Sequence, residues 1–147
     1  MMLYQQEREL GVNEFADLLI SSGLAPRRPS DHERLDAMLR GAQLIVTARH
    51  QGRLVGLARS ITDFSYCLYC SDLCVDIEFQ GRGIGARLLE HSADAVPDVK
   101  TCVLLSAPDA VTFYEKAGFP RHHHAFLFAQ RAQECSFPDN ERHDLAG

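Results

Sequence analysis

One stretch of the sequence, Asp72–Glu90 (DLCVDIEFQGRGIGARLLE), constrains the fold more than any other. It starts as an apolar, β-prone run, passes Gly81, Gly83 and Gly85 within five residues, and continues as an amphipathic helix. Glycines let the backbone turn sharply and approach a ligand. The N–H groups of the first helical turn, together with the helix dipole, favour an anion. The stretch therefore predicts a strand–turn–helix unit with a phosphate-binding site.

Three other interpretations of the glycines were weighed. A Walker A loop is excluded because no Lys-Ser or Lys-Thr pair follows them. The spacing Gly81-x-Gly83-x-x-Ala86 fits the dinucleotide fingerprint, which normally opens a βαβαβ unit. The two strands expected before this loop form a hairpin, so the dinucleotide interpretation is disfavoured. A tight turn that binds nothing is the remaining alternative.

Periodicity over the whole chain predicts the order β-α-α-β-β-β-α-β-α-β, an α/β (mixed α+β) fold with a central mixed sheet flanked by helices. The expected helices are Asn13–Gly23, Ser30–Gly41, Gly83–Ala95 and Pro108–Lys116. The expected strands are Leu3–Glu9, Ala42–His50, Arg53–Thr62, Cys67–Ile77, Thr101–Ser106 and Ala125–Gln130. Asn13 and a Ser30/Glu33 capping box are the predicted helix starts. The 147 residues fit one domain, residues 1–131, followed by a polar tail, residues 132–147.

Charge and composition limit which binding partners and which cellular location are expected. The net charge of −5, with scattered Lys and Arg, argues against nucleic-acid binding and mildly favours a cationic substrate. The N-terminal sequence MMLYQQEREL does not resemble a secretory signal, and no apolar run is long enough for a membrane span. An odd number of cysteines, five, suggests free thiols and hence the reducing cytoplasm.

The cysteines were also considered as metal ligands, because Cys67 and Cys70 form a C-x2-C pair and Cys74 follows. In a strand Cys67 and Cys70 point to opposite faces. There is no second C-x2-C pair, and the histidines of residues 122–124 could join only through tertiary contact. Packed free thiols are therefore favoured, and no metal is expected.

The sequence resembles the GNAT family of acetyl-CoA-dependent N-acetyltransferases. Gln80–Gly85 (QGRGIG) fits that family's Q/R-x-x-G-x-G/A loop, and Leu73-x-Val75-Asp76 is similar to the end of its fourth strand. Phe113–Phe119 (FYEKAGF) is similar to its F-Y-x-K-x-G-F segment. The resemblance covers roughly residues 44–128.

The resemblance implies a set of site residues around acetyl-CoA. The backbone of Leu73, Cys74 and Val75 would pair with the pantetheine arm, and an amide near Val75 would polarise the thioester carbonyl. Tyr114 would protonate the leaving thiolate. The pyrophosphate would be held by the glycine loop: Gln80, Gly81, Arg82, Gly83, Ile84, Gly85 and Ala86.

The general base is less defined by the resemblance. Asp72 aligns with a frequent acidic position and is the candidate base. Asp76 is its competitor for that role. Alternatively, Asp72 only forms hydrogen bonds to a neighbouring loop. Ala107 stands where many relatives have Asn, so one polar contact is missing. The aromatic residues Phe64, Tyr66 and Tyr69 either line a substrate pocket or pack, and packing is slightly favoured. The histidines 122–124 are expected to be exposed.

The favoured function is therefore an N-acetyltransferase that moves acetyl from acetyl-CoA to a primary amine of an unidentified small molecule or protein. The alternative is a non-catalytic acyl-CoA sensor or interaction module of the same fold. A homodimer is left open.

Overall fold

A computed structural model of the chain describes residues 1–128. They fall into two compact units, Met1–Asp109 and a second that begins at Ala110. The strands are β1 (Met2–Gln6), β2 (Leu44–His50), β3 (Arg53–Thr62), β4 (Cys67–Val75) and β5 (Thr101–Leu104). The helices are α1 (Val12–Ser22), α2 (His32–Gly41), α3 (Ile84–Asp94) and α4 (Val111–Lys116), and short 3-10 turns span Ala25–Arg27, Ile77–Phe79 and Pro108–Ala110.

The strands of the first unit form one mixed sheet in the order β1-β2-β3-β4-β5. The first four strands pair antiparallel, and β5 lies parallel to β4. The parallel pair follows from the α3 crossover between β4 and β5, since only a long connection returns the chain in the same direction. The predicted mixed sheet is confirmed.

Helices cover both faces of this sheet, each over its own apolar cluster. α3 packs on one face through Ile84 and Leu88. α1 and α2 cover the other face through residues such as Phe15 and Leu35, both almost fully buried. This layering confirms the predicted fold class of a mixed sheet flanked by helices.

Several predicted element ends shift by a few residues. The N-cap of α1 is Gly11 and not Asn13. The N-cap of α2 is Asp31, whose carboxylate accepts the Glu33 N–H at 3.0 Å, so the Ser30 capping box is wrong. β4 ends at Val75 because Asp76 caps the 3-10 turn that follows. The prediction that Gly23 ends α1 is confirmed by its left-handed φ of 86°.

In the second unit, α4 ends at Lys116 as predicted, and Gly118 follows with a left-handed φ of 85°. The Gly118 N–H donates to the Glu115 carbonyl and the Phe119 N–H to that of Tyr114. Residues 125–128 are exposed and form no strand, so that part of the predicted last strand is wrong; residues 129–130 lie outside the described chain. The predicted tail, residues 132–147, also lies outside it. The single domain over residues 1–131 stays a prediction.

No helix within residues 1–128 combines the length and the apolar character needed to span a bilayer.

Candidate active site at the open edge of β4

The two halves of β4 have different neighbours. Residues Cys67–Cys70 pair with β3 on one side and with β5 on the other. Beyond them, Leu73, Cys74 and Val75 pair only with β3. The register shifts between the halves: Arg59 and Ser60 face Asp72 and Cys70, which leaves Ser71 as the extra residue of a β-bulge. From Ser71 to Val75 the far side of β4 has no strand beside it among residues 1–128, and we call this the open edge.

The hydrogen bonding of the neighbouring turn shows which backbone groups face the open edge. The Asp76 N–H donates to the Val55 carbonyl on β3 at 2.8 Å. Backbone groups alternate in direction along a strand, so Cys74 also faces β3, whereas Leu73 and Val75 face the open edge. An extended ligand could pair with these two residues as an additional strand. Of the three predicted pantetheine contacts, Cys74 is therefore directed away.

The glycine loop opens α3 as the sequence predicts. Gly81 and Gly83 have φ of +80° and +81°, and Gly83 is the N-cap. The first helical bond runs from the Arg87 N–H to the Gly83 carbonyl at 3.1 Å. The N–H groups of the three residues before Arg87 (Ile84, Gly85, Ala86) have no acceptor among the described residues. A Cβ added at Gly83 would meet no atom within 4 Å, so there is open space beside the N-cap of α3. Unpaired N–H groups at the start of a helix suit a phosphate group.

The polar side chains of the loop have defined positions. The Gln80 side-chain amide donates to the Val75 carbonyl at 2.8 Å and to the Ser22 carbonyl at 3.4 Å. The exposed Arg82 guanidinium lies over the Phe79 ring at 4.9 Å and donates to a backbone carbonyl. Gln80 therefore fixes the loop to β4, and Arg82 adds positive charge beside it. Gly85 is buried in the first turn of α3.

The candidate base Asp72 is fully buried between two arginines. One carboxylate oxygen accepts the Arg28 Nε–H at 2.5 Å, and the other accepts the Arg59 Nε–H. Arg59 itself is 6 % exposed. With both oxygens engaged and no exposed surface, this carboxylate is not placed to take a proton from a substrate.

Its competitor Asp76 is committed in a similar way. One oxygen accepts the Glu78 N–H at 2.9 Å, and the other pairs with the Arg53 guanidinium at 2.5 Å. Asp76 is only 2 % exposed. Its described contacts are those of a cap for the turn between β4 and the glycine loop.

The candidate acid Tyr114 lies on α4 in the second unit. Its half-buried ring makes edge contacts with Phe113, at 5.0 Å between centroids, and with Phe119, at 6.0 Å. Phe113 and Phe119 are each 39 % exposed, so neither ring is buried among the described residues. His122–His124 are exposed, as predicted.

A comparison with protein families identifies the family to which this arrangement belongs. Residues 26–130, more than two thirds of the chain, match the model of the acetyltransferase (GNAT) domain. The chain belongs to the GNAT family.

Individual relatives and structures agree with this GNAT assignment. The chain is 32 % identical over 73 residues to the chloroplastic GCN5-related N-acetyltransferase 2 of Arabidopsis thaliana, which covers 48 % of the chain and 28 % of that protein. A GNAT-family acetyltransferase of Streptococcus pneumoniae superposes with a TM-score of 0.71 at 19 % identity, over 89 % of this chain and 99 % of the other. An aminoglycoside N-acetyltransferase in complex with CoA gives a TM-score of 0.68 at 16 % identity, over 89 % and 95 %. The chain spans less than half the length of the curated relatives it matches.

The two buried thiols on β4 of this GNAT chain, those of Cys70 and Cys74, are structural. Burial raises the pKa of the Cys70 thiol to about 11 and that of Cys74 to about 12, and the negative charge of Asp72 adds to both shifts. Both groups stay protonated at neutral pH, which excludes them as thiolate nucleophiles. The four cysteines of the described chain carry no disulfide, and residues 1–128 contain no cluster of groups suited to a metal.

Three aromatic residues near the start of β4 do not pack as expected. Phe64, Tyr66 and Tyr69 are 47 %, 61 % and 39 % exposed. Tyr69 stands between Ile61 and Val103 in a row across β3, β4 and β5, and all three border a shallow cavity of about 460 Å³. The favoured packing interpretation is therefore wrong for these residues.

Sequence reasoning missed the two arginines that hold Asp72. Arg59 and Arg28 lie 13 and 44 positions from Asp72 along the chain, so no local spacing pattern relates them. One signal was present: Arg59 interrupts a run of otherwise buried residues in β3. A charged residue inside such a strand is retained only with a partner.

Proposed function

We propose that the chain transfers an acetyl group from acetyl-CoA to a primary amine of a small molecule or a protein. The observation that carries the proposal is the open edge of β4, which leads directly into a glycine loop. The N–H groups of Ile84, Gly85 and Ala86 in that loop have no acceptor among the described residues. An extended arm that ends in a pyrophosphate has the shape and charge for this pair of features. Membership of the GNAT family supports the same co-substrate.

Each part of acetyl-CoA has its own residues in this proposal. The backbone groups of Leu73 and the N–H of Val75 hold the pantetheine arm at the open edge, since the Val75 carbonyl already accepts the Gln80 side chain. The amides from Gly81 to Ala86 hold the pyrophosphate, with Arg82 adding positive charge. No metal is required, because amides and a guanidinium supply the positive field.

The proposed reaction is a direct attack. The nitrogen lone pair of the amine forms a bond to the thioester carbonyl carbon, and the carbon–sulfur bond breaks. An edge-facing N–H of β4 near Val75 stabilises the negative charge that collects on the carbonyl oxygen. Tyr114 gives its proton to the departing sulfur. Because Asp72 and Asp76 are both paired with arginines, the ammonium form of the acceptor first loses one proton to water, and the neutral amine then attacks. The second proton that the nitrogen loses as the amide forms returns through water to the Tyr114 phenolate.

A non-catalytic acyl-CoA sensor is the second candidate, and the engagement of both candidate bases, Asp72 and Asp76, by arginines favours it. The two candidates share acetyl-CoA binding, so both predict a rise in melting temperature with acetyl-CoA and none with NADH. They differ in turnover. A broad panel of amines is added with acetyl-CoA, and released CoA is measured by thiol detection. Release of CoA that depends on an added amine would support the enzyme. A melting shift without any such release would support the sensor.

The Tyr114→Phe variant tests the assigned acid. It keeps the ring and its contacts with Phe113 and Phe119 and removes only the hydroxyl. General acid catalysis typically contributes about 10²–10⁴-fold, and a thiolate is already a fair leaving group, so we expect turnover to fall roughly 10- to 100-fold with acetyl-CoA affinity unchanged. Tyr66→Phe, which removes an exposed phenol outside the proposed machinery, is the control. Wild-type turnover in Tyr114→Phe would reject the role.

The cellular setting remains part of the proposal. We infer a reducing, cytoplasmic location, and the free thiols of Cys67, Cys70, Cys74 and Cys102 support it. The net charge of −5 supports a cationic amine as the partner rather than nucleic acid.

A further inference from the structure

A buried charged cluster joins the connection between α1 and α2 to the bulge of β4. Arg28, in that connection, donates its Nε–H to Asp72 at 2.5 Å and an Nη2–H to the Ser71 carbonyl at 2.8 Å. Arg59 reaches Asp72 from β3 and also donates to the Ser71 hydroxyl at 3.0 Å. The same guanidinium donates to the Met38 carbonyl of α2 at 3.3 Å. The cluster therefore ties β3, β4, α2 and the α1–α2 connection together.

The α1–α2 connection is attached to the open edge at two points. At the far end, the Gln80 side-chain amide bridges the Ser22 and Val75 carbonyls. At the bulge, Arg28 holds Ser71 and Asp72. The attachment points on β4, residues 71 and 75, are the two limits of the open edge. Residues 22–28 therefore run alongside the backbone that is proposed to hold the pantetheine arm.

The charges explain why Asp72 is suited to this attachment. Two guanidinium groups and one carboxylate leave a net charge of +1, in a place where Asp72 is inaccessible and Arg59 nearly so. The other titratable groups beside Asp72 are the thiols of Cys70 and Cys74, which stay neutral. Because Asp72 is the one anion of the cluster, its removal would leave two cations without a counter-charge.

We infer that Asp72 is a positioning residue and not the general base. It holds Arg28, and through Arg28 it keeps the α1–α2 connection along the open edge, beside the place where the amine meets the thioester. The connection thereby sets how tightly the acceptor amine binds. The effect on amine binding rests on the proposed function, whereas the attachment of the connection to β4 does not.

Arg28→Gln is the decisive variant, because it releases the connection and leaves a neutral Arg59–Asp72 pair in the core. The N–H groups of Arg27 and Arg28 are bonded within the 3-10 turn of the connection, and their hydrogen exchange reports its order without any substrate. A hydrogen bond between charged groups is worth about 1.5–3 kcal/mol, so we expect exchange about 10- to 100-fold faster there. Arg34→Gln, an exposed change on α2, should leave exchange unaltered.

Kinetics then separate positioning from proton transfer. In Arg28→Gln we expect the KM for the amine to rise roughly tenfold, kcat to stay within about threefold, and the acid limb of the rate–pH profile to stay in place. If Asp72 accepted the proton, loss of the neighbouring Arg28 cation would move that limb to higher pH, and this result would overturn the inference. Unchanged exchange at residues 27 and 28 would overturn it as well.

Failure of the proposed function and failure of the Arg28–Asp72 attachment give different results. If the wild-type protein releases no CoA with any amine, the proposed function fails, while the exchange measurement still decides whether Arg28 and Asp72 hold the connection. Asp72→Asn is a weaker first choice because it leaves two buried guanidinium groups unpaired and endangers the fold. Arg28→Lys, which restores the charge without the planar fork, should recover part of the protection and confirm that geometry contributes.

Discussion

The two halves of β4 differ in the strands that lie beside them, and only one half leaves backbone groups open to a ligand. Cys67–Cys70 lies between β3 and β5, so its backbone groups are used within the sheet. Ser71–Val75 keeps β3 alone and presents backbone groups at an edge. Both halves are short and carry apolar residues and cysteine (CLYC and SDLCV), and their composition does not show which half lacks an outer neighbour. The neighbouring strand does: the candidate site begins where β5 stops.

The bulge at Ser71 also changes which core each half faces. Before it, Leu68 and Cys70 pack in the cluster under α3. After it, Cys74 packs in the cluster under α1 and α2. A bulge shifts the alternation of side chains by one residue, which turns Asp72 toward Arg28 and Arg59. A local irregularity of one residue therefore separates a structural half from a half that can bind a ligand.

The largest effect that this comparison predicts is at the end of the open half. In Gly83→Val a branched side chain would enter the space that the loop amides border, and the loss of two or more charge-assisted hydrogen bonds, each about 1.5–3 kcal/mol, corresponds to at least roughly 100-fold weaker acetyl-CoA binding. Isothermal titration calorimetry measures this directly.

The control for Gly83→Val must share its backbone strain, because valine is strongly disfavoured at positive φ. Gly52, in the hairpin between β2 and β3, has φ of +80° against +81° at Gly83, and a Cβ would meet no atom within 4 Å at either glycine. Gly52→Val should lose similar stability and keep its acetyl-CoA affinity. Equal affinities in the two variants would show that the loop is not the phosphate site.

A second prediction concerns the direction of backbone groups in the open half. Val75→Pro removes an N–H that faces the edge, so the ladder with β3 should survive while acetyl-CoA binding weakens by about tenfold, the value of roughly one hydrogen bond. Cys74→Pro removes an N–H that faces β3, leaves its acceptor unpaired and should cost about 1–3 kcal/mol of stability. Chemical denaturation and calorimetry together distinguish the two. If Val75→Pro bound acetyl-CoA like the wild type, the open edge would not hold the pantetheine arm.

Much of the fold is predictable because it depends on local patterns. Alternation gives β2 and β3 within two residues of their observed starts, and the Gln51-Gly52 turn that joins them has positive φ at both residues. Helix starts are less predictable: Asp31 and Ser30 are both good N-cap residues, and only the folded geometry selects Asp31. Strand β4 ends early because of a turn capped by Asp76, a feature that apolar periodicity does not contain.

The candidate site also has parts that local sequence patterns predict and parts that they do not. The glycine loop is visible in the sequence because its residues are contiguous. The role of Asp72 is not, because it depends on Arg28 and Arg59, which come from other elements. The open edge is also invisible, since it depends on β5 ending at Leu104 after only four paired residues. Contacts between distant segments follow from the folded arrangement and leave little trace in local spacing.

The smallest effect is predicted on the other side of the open half, where Gly56 of β3 stands opposite Val75. A Cβ at Gly56 would lie 3.1 Å from the Leu88 and 3.2 Å from the Ile84 side chains of α3, so the glycine allows the helix to approach the sheet. The two α3 side chains can yield, whereas the Ala48 Cβ on β2, at 3.3 Å, is fixed to its backbone, so we expect Gly56→Ala to cost about 1–2 kcal/mol of stability in chemical denaturation. Acetyl-CoA affinity should change less than about twofold, because the loop amides and the open edge are untouched. Gly41→Ala, where a Cβ would meet no atom within 4 Å, is the control and should be near neutral. A loss of acetyl-CoA affinity in Gly56→Ala as large as that in Val75→Pro would mean that the packing of α3, and not the freedom of the β4 edge, sets the binding site.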